Sequence, residues 1–113
     1  MKIQSETNNG VLVIQILEQE LHDASELLNI IQSGLDKGTL FFLVDLSHVI
    51  YISSIVLGSL VTTFKNIESK NGQLKFMHAQ PCIANVFEMT RLNRIFEFFN
   101  ERETALKSFT VPV

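Results

Sequence analysis

Cysteine is nearly absent from this chain, tryptophan is missing altogether, and prolines number two and glycines five. A lone Cys82 excludes an intramolecular disulfide and the paired-cysteine motifs of structural zinc sites. So few Gly and Pro leave no linker, repeat or low-complexity stretch. No apolar run approaches the roughly 20 residues that a membrane-crossing helix needs. Residues 1–10 are polar and lack the apolar core of a secretory leader. These absences predict a cytoplasmic protein with no direct membrane insertion. Basic charge is also scarce: nine Lys and Arg stand against twelve Asp and Glu, for a net charge of −3. The bases are scattered along the chain, which argues against a nucleic-acid partner.

Chemistry-bearing motifs are missing as well. There is no Gly-rich phosphate loop and no strained serine elbow. His22, His48 and His78 show neither i,i+4 pairing nor a clustered acid, so no metal site is expected. Cys82, just inside a helix start, reads as a buried inert thiol, although a helix N-terminus can lower a thiol pKa. Asp45 and His48 are the nearest thing to an acid–base pair, at a strand end where α/β proteins place their sites. With no supporting context, the expectation is a non-enzyme without cofactor.

What is present is ample for one core. Of 113 residues, 46% are hydrophobic and 19% charged, so a single domain over residues 1–113 is expected. Residues 11–17 and 40–46 are apolar on both pleat faces, as strands covered on both sides are. Residues 73–77 and 95–99 read as shorter strands, and 2–6 as an added edge strand. Asp23 with Glu26 forms a capping-box pattern before a stripe of Ala24, Leu27, Leu28, Ile31 and Leu35. Gly34 or Gly38 can end that helix. A second helix begins near Ser54 and stops at Asn71-Gly72, a third begins at Pro81, and a short fourth follows Asn100. The alternation predicts an α/β fold: a mixed, mostly parallel central sheet of four or five strands with about four helices.

The stretch from Asp45 to Leu60 holds the densest information. A buried strand ends in Asp45-Leu46-Ser47, a loop follows, and a helix opens on Ser53-Ser54-Ile55-Val56-Leu57-Gly58. This resembles the signature of STAS domains of the anti-sigma-factor-antagonist type, where Asp-Leu-Ser leads to Asp-Ser-Ser/Thr-Gly-Leu-Gly at a helix start. Glu20-Leu21, Leu92-Asn93-Arg94-Ile95-Phe96 and Glu103-Thr104-Ala105-Leu106 are similar to further family motifs, in the family's order. The resemblance implies a non-catalytic switch that binds an anti-sigma factor doubling as a serine kinase of the histidine-kinase-like ATPase fold. The phosphorylated residue would be Ser54, with Tyr51, Ser53, Ser54, Ile55 and Val56 at the partner surface. It leaves room for a homodimer.

The departures are specific to this chain. Ser53 stands at the family's Asp, Ile55 at its Ser or Thr, Val56 at its Gly, and His22 at the Asp of an upstream Gly-Glu-Leu-Asp. A degenerate motif also suits a constitutive STAS domain, such as a signalling scaffold or a subunit of a lipid-transport ABC system. Apart from any resemblance, Ser54 or Ser53 could simply cap the second helix. The bulky Tyr51, Ile52, Ile55 and Val56 could be buried or form an exposed patch.

Overall fold

Asn9 and Gly10 both adopt positive φ, 51° and 84°, the combination a two-residue hairpin turn demands. They join β1 (Ile3–Asn8) to β2 (Val11–Ile16) as an antiparallel pair in which Asn8 faces Val11. The computed structural model describes residues 2–109, and everything after this hairpin is a strand–helix alternation. β3 (Glu20–Leu21) precedes α1 (Ser25–Asp36), which returns the chain to β4 (Phe41–Asp45). β5 (Tyr51–Ile52) leads into α2 (Ser54–Ser69), followed by β6 (Gln73–Met77) and α3 (Pro81–Met89). A 3-10 turn at Leu92–Arg94, β7 (Glu97–Phe99) and α4 (Arg102–Lys107) complete it. The main sheet runs β1-β2-β4-β6-β7, parallel except for β1. The mixed, mostly parallel sheet with four helices is the architecture the alternation predicts.

The register sorts side chains onto two faces. Ile14, Ile16, Phe42, Val44, Leu74 and Phe76 meet Leu27 and Ile31 of α1, Leu57, Leu60 and Ile67 of α2, and Ile83 and Phe87 of α3. Phe76 sits amid other phenylalanines, with ring centroids 5.2 Å from Phe96, 5.4 Å from Phe98 and 6.0 Å from Phe87. Each such ring contributes roughly 1.5–3 kcal/mol through burial. On the opposite face Val11, Val13, Leu43 and Met77 pack with Ala105 of α4, flanked by Phe41, Phe99, Leu106 and Phe109. Lys75 is buried there and ties α4 down. Its Nζ donates to the Ser108 carbonyl and hydroxyl, each at 3.0 Å, and lies 4.9 Å from the Phe109 ring centre.

Several boundaries depart from the sequence reading. Asp23 does not cap α1. Ala24 occupies the cap position, while the Asp23 carboxylate accepts from both the amide and the hydroxyl of Ser25. Gly34 lies inside α1, where a Cβ would come 3.0 Å from Phe42, and the chain turns at Gly38 with φ 93°. Residues 95–99 are not one strand: Arg91, at φ 62°, opens a 3-10 turn, and only Glu97–Phe99 pair with β6. Tyr51 and Ile52 belong to no loop. They pair in parallel with Glu20 and Leu21 as a second sheet.

Candidate functional site

That two-stranded sheet is what positions the start of α2. Gln19 presents its carbonyl to the amides of Ile50 and Tyr51, at 2.7 and 3.2 Å, and the Leu21 carbonyl accepts from Ser53 N–H at 3.1 Å. The chain therefore enters α2 on a fixed path. Ser53 keeps extended backbone angles, φ −73° and ψ 160°, and its Oγ accepts the Val56 amide at 3.2 Å. It also donates to the His22 carbonyl at 3.4 Å. Ser53 is the cap, and Ser54 is the first residue of the helix proper.

Helical geometry then divides the motif between core and solvent. Val56, Leu57 and Leu60 turn inward, and Val56 is fully buried. The expectation that Val56 meets a partner is therefore corrected: its β-branched side chain fills the core beneath the helix start. Ser54 and Gly58 face solvent, and Ile55 is 76% exposed. The Ser54 hydroxyl takes part in no hydrogen bond among the described residues. Ile50 and Tyr51 are each 46% exposed beside it, whereas Ile52 is buried. Tyr51 packs against His22, ring centroids 5.0 Å apart, and His22 meets Glu20 at 3.0 Å. Between α1 and α2 lies an open hollow of about 490 Å³ lined by Leu28, Ile55, Gly58, Ser59, Thr62 and Thr63.

Glu20 and His22 as neighbours of the serines were not legible from sequence. Two-residue strands carry too little periodicity to be read. The register of β3 on β5 is what brings residues 20–22 beside residues 51–53. A local charge effect follows from the Asp23 turn. The Ser25 hydroxyl, and then its amide, hold the Asp23 carboxyl below its usual range.

The loop from Asp45 to Ile50 is braced and offers no relay of catalytic groups. Asp45, buried at the end of β4, accepts the Ser47 amide at 2.9 Å. The Ser47 hydroxyl meets His48 Nδ1 at 3.2 Å, and the Gln80 side chain donates to the Ser47 carbonyl at 2.7 Å. Asp45 thus orients a backbone amide and not the imidazole, so the groups do not form a nucleophile–base–acid chain. Cys82 is exposed, contrary to the expected buried thiol, and reaches the Ile50 carbonyl at 3.6 Å. Its place in the first turn of α3, an amphipathic helix, puts it on the outer side. Among the described residues no three His, Cys, Asp or Glu side chains gather as a metal site, and no helix is long and apolar enough to cross a membrane.

The profile of the STAS domain matches residues 2–105, nearly the whole chain. This chain belongs to the STAS-domain family. A Bordetella bronchiseptica protein described as the anti-sigma factor antagonist BtrV is 29% identical over 111 residues, covering 96% of this chain and 95% of its own. The crystal structure of an anti-sigma factor antagonist from Thermotoga maritima superposes with a TM-score of 0.85 at 22% identity, across 93% of this chain and 92% of that one. The phosphorylated form of SpoIIAA, a cell fate determinant of Bacillus, gives 0.72 at 17% identity, across 94% and 97%. At these identities the structural matches speak for the fold. The fold is that of STAS domains, shared with the anti-sigma factor antagonists just described.

Proposed function

We propose that this STAS domain is a non-catalytic cytoplasmic switch module. It docks an anti-sigma factor that is also a serine kinase of the histidine-kinase-like ATPase fold, and phosphorylation of Ser54 releases it. One observation carries the reading: Ser53 does the capping, so the exposed Ser54 hydroxyl has no structural duty. A phosphate on Ser54 would meet the positive end of α2 and its free amides, which favour an anion. The same charge, about −2, would oppose a partner seated on Ile50, Tyr51 and Ile55.

The relatives support the partner class, since the Bordetella and Thermotoga proteins are described as anti-sigma factor antagonists. A second reading, a constitutive accessory or scaffold domain, draws on Val56. Where the family has Gly, this chain has a core side chain, so a partner backbone gains no extra space there.

The test uses purified anti-sigma factors of that ATPase fold from the source genome. Calorimetry should find one that binds without nucleotide. Addition of Mg-ATP should place a phosphate on Ser54, seen by mass spectrometry, and abolish binding. Tight binding with no phosphate transfer would overturn the switch and leave the constitutive reading.

A further inference from the structure

We propose that Ile55 is the anchor by which this chain selects its partner, entering an apolar pocket whose margin carries Lys or Arg opposite Glu20 and Asp23. The inference rests on the partner-binding reading above and adds the chemistry of the surface that must meet it.

Ile55 is the starting point. It occupies the motif position where the family has Ser or Thr, and here it stands 76% exposed. A side chain of this size, left largely in water on the wall of an open hollow, has little internal packing to account for it. Its neighbours extend the patch. Ile50 and Tyr51 are each 46% exposed on one side. On the other, Gly58 adds no side chain, and a Cβ built there would meet nothing within 4 Å, so the groove beside Ile55 stays open.

Charge decides what kind of surface covers it. From residue 3 to residue 64, Lys37 is the only Lys or Arg, against seven Asp and Glu. The first eleven residues of α2, Ser54 to Phe64, carry no charge at all. Glu20 lies directly across from Tyr51 in the small sheet, and Asp23 follows His22 at the same rim. Glu20 and Asp23 thus place acids at the border of the apolar patch, in a stretch of chain where acids outnumber bases. A partner surface of matching chemistry is apolar at its centre and basic at its edge. An acidic partner would set like charge against the Glu20 and Asp23 carboxylates, which bond within the chain to His22 and to Ser25.

The experiment measures affinity for the anti-sigma factor identified by the calorimetry above. Ile55→Ser, which restores the residue type of the family motif, should weaken binding at least tenfold. Glu20→Lys with Asp23→Lys should weaken it too. Raising salt from about 50 to about 300 mM should weaken wild type more than the double variant. Met89→Ser, which trims an equally protruding apolar side chain of α3 (84% exposed), should leave affinity unchanged. Circular dichroism of each variant checks folding. Wild-type affinity in Ile55→Ser, or tighter binding after charge reversal, overturns the proposal while leaving the switch reading intact. No binding by wild type overturns both. Sedimentation of the chain alone supplies the last outcome: a dimer that Ile55→Ser dissolves would assign the patch to a second copy and overturn the proposal.

Discussion

Ser53 and Val56 are joined by a bond from the Val56 amide to the Ser53 hydroxyl at 3.2 Å, so a neutral serine caps α2 where the family motif has aspartate. Capping needs only a short side-chain oxygen, which explains why the replacement preserves the helix start. Ser53→Ala should cost about 1 kcal/mol, because the part-buried Val56 amide loses its acceptor. Ser53→Asp should be neutral or better, since a carboxylate also suits the helix dipole. Urea denaturation of the two variants gives both values. Equal stability of Ser53→Ala and wild type would mean that the cap lies elsewhere.

Two glycines in and after the same helix should respond in opposite ways to alanine. At Gly58 a Cβ meets open space, so Gly58→Ala should stabilise the fold by about 0.5–1 kcal/mol through helix propensity. At Gly72 a Cβ would lie 2.5 Å from the Leu40 carbonyl and 2.7 Å from Ile67 Cγ2. Gly72→Ala should therefore cost about 1–3 kcal/mol from overpacking. Thermal melts of the pair test the sign at each site.

Asp23 links the rim of the site to pH. Bonds from the Ser25 hydroxyl and amide lower its pKa in the folded protein, so the native state holds this proton less readily than the unfolded chain does. Its stabilising contribution is present above the ordinary carboxylate range and is lost as pH falls through its lowered value. An NMR titration should find Asp23 below the ordinary range for an aspartate, and Ser25→Ala should move it back up. An unchanged titration in Ser25→Ala would show that these bonds are not formed in solution.

Most of the architecture was legible because long apolar runs and helical stripes report burial directly. Residues 11–16 and 41–45, hydrophobic on both faces, are covered on both faces. The third helix starts at Pro81 as its sequence demands. Features set by tertiary pairing were not legible. Tyr51 and Ile52 look like loop residues until Glu20 and Leu21 are known to lie beside them. The fate of Ile55 and Val56, adjacent and equally apolar, depends on which side of α2 faces the sheet. A boundary error of one residue would exchange them. The cap bond on Ser53 fixes that phase, burying Val56 and exposing Ile55.

The remaining prediction concerns Ser54. An exposed first-turn serine whose hydroxyl bonds to nothing among the described residues should tolerate Ala with little effect on stability. Ser54→Ala should therefore bind the anti-sigma factor as wild type does and resist phosphorylation. Ser54→Asp is different. It places a carboxylate between Ile55 and the partner, smaller and less charged than phosphate and without phosphate's full set of acceptors. Burying an unpaired carboxylate in a largely apolar contact costs several kcal/mol. Each 1.4 kcal/mol is about tenfold in affinity, so binding should fall at least ~100-fold. Ser53→Ala separates switch from cap, since it should lower stability while retaining phosphorylation at Ser54. Calorimetry on the three variants, with mass spectrometry after incubation with partner and ATP, checks each outcome. Should Ser54→Asp bind as tightly as wild type while no phosphate forms, the surface at the start of α2 holds its partner without a switch.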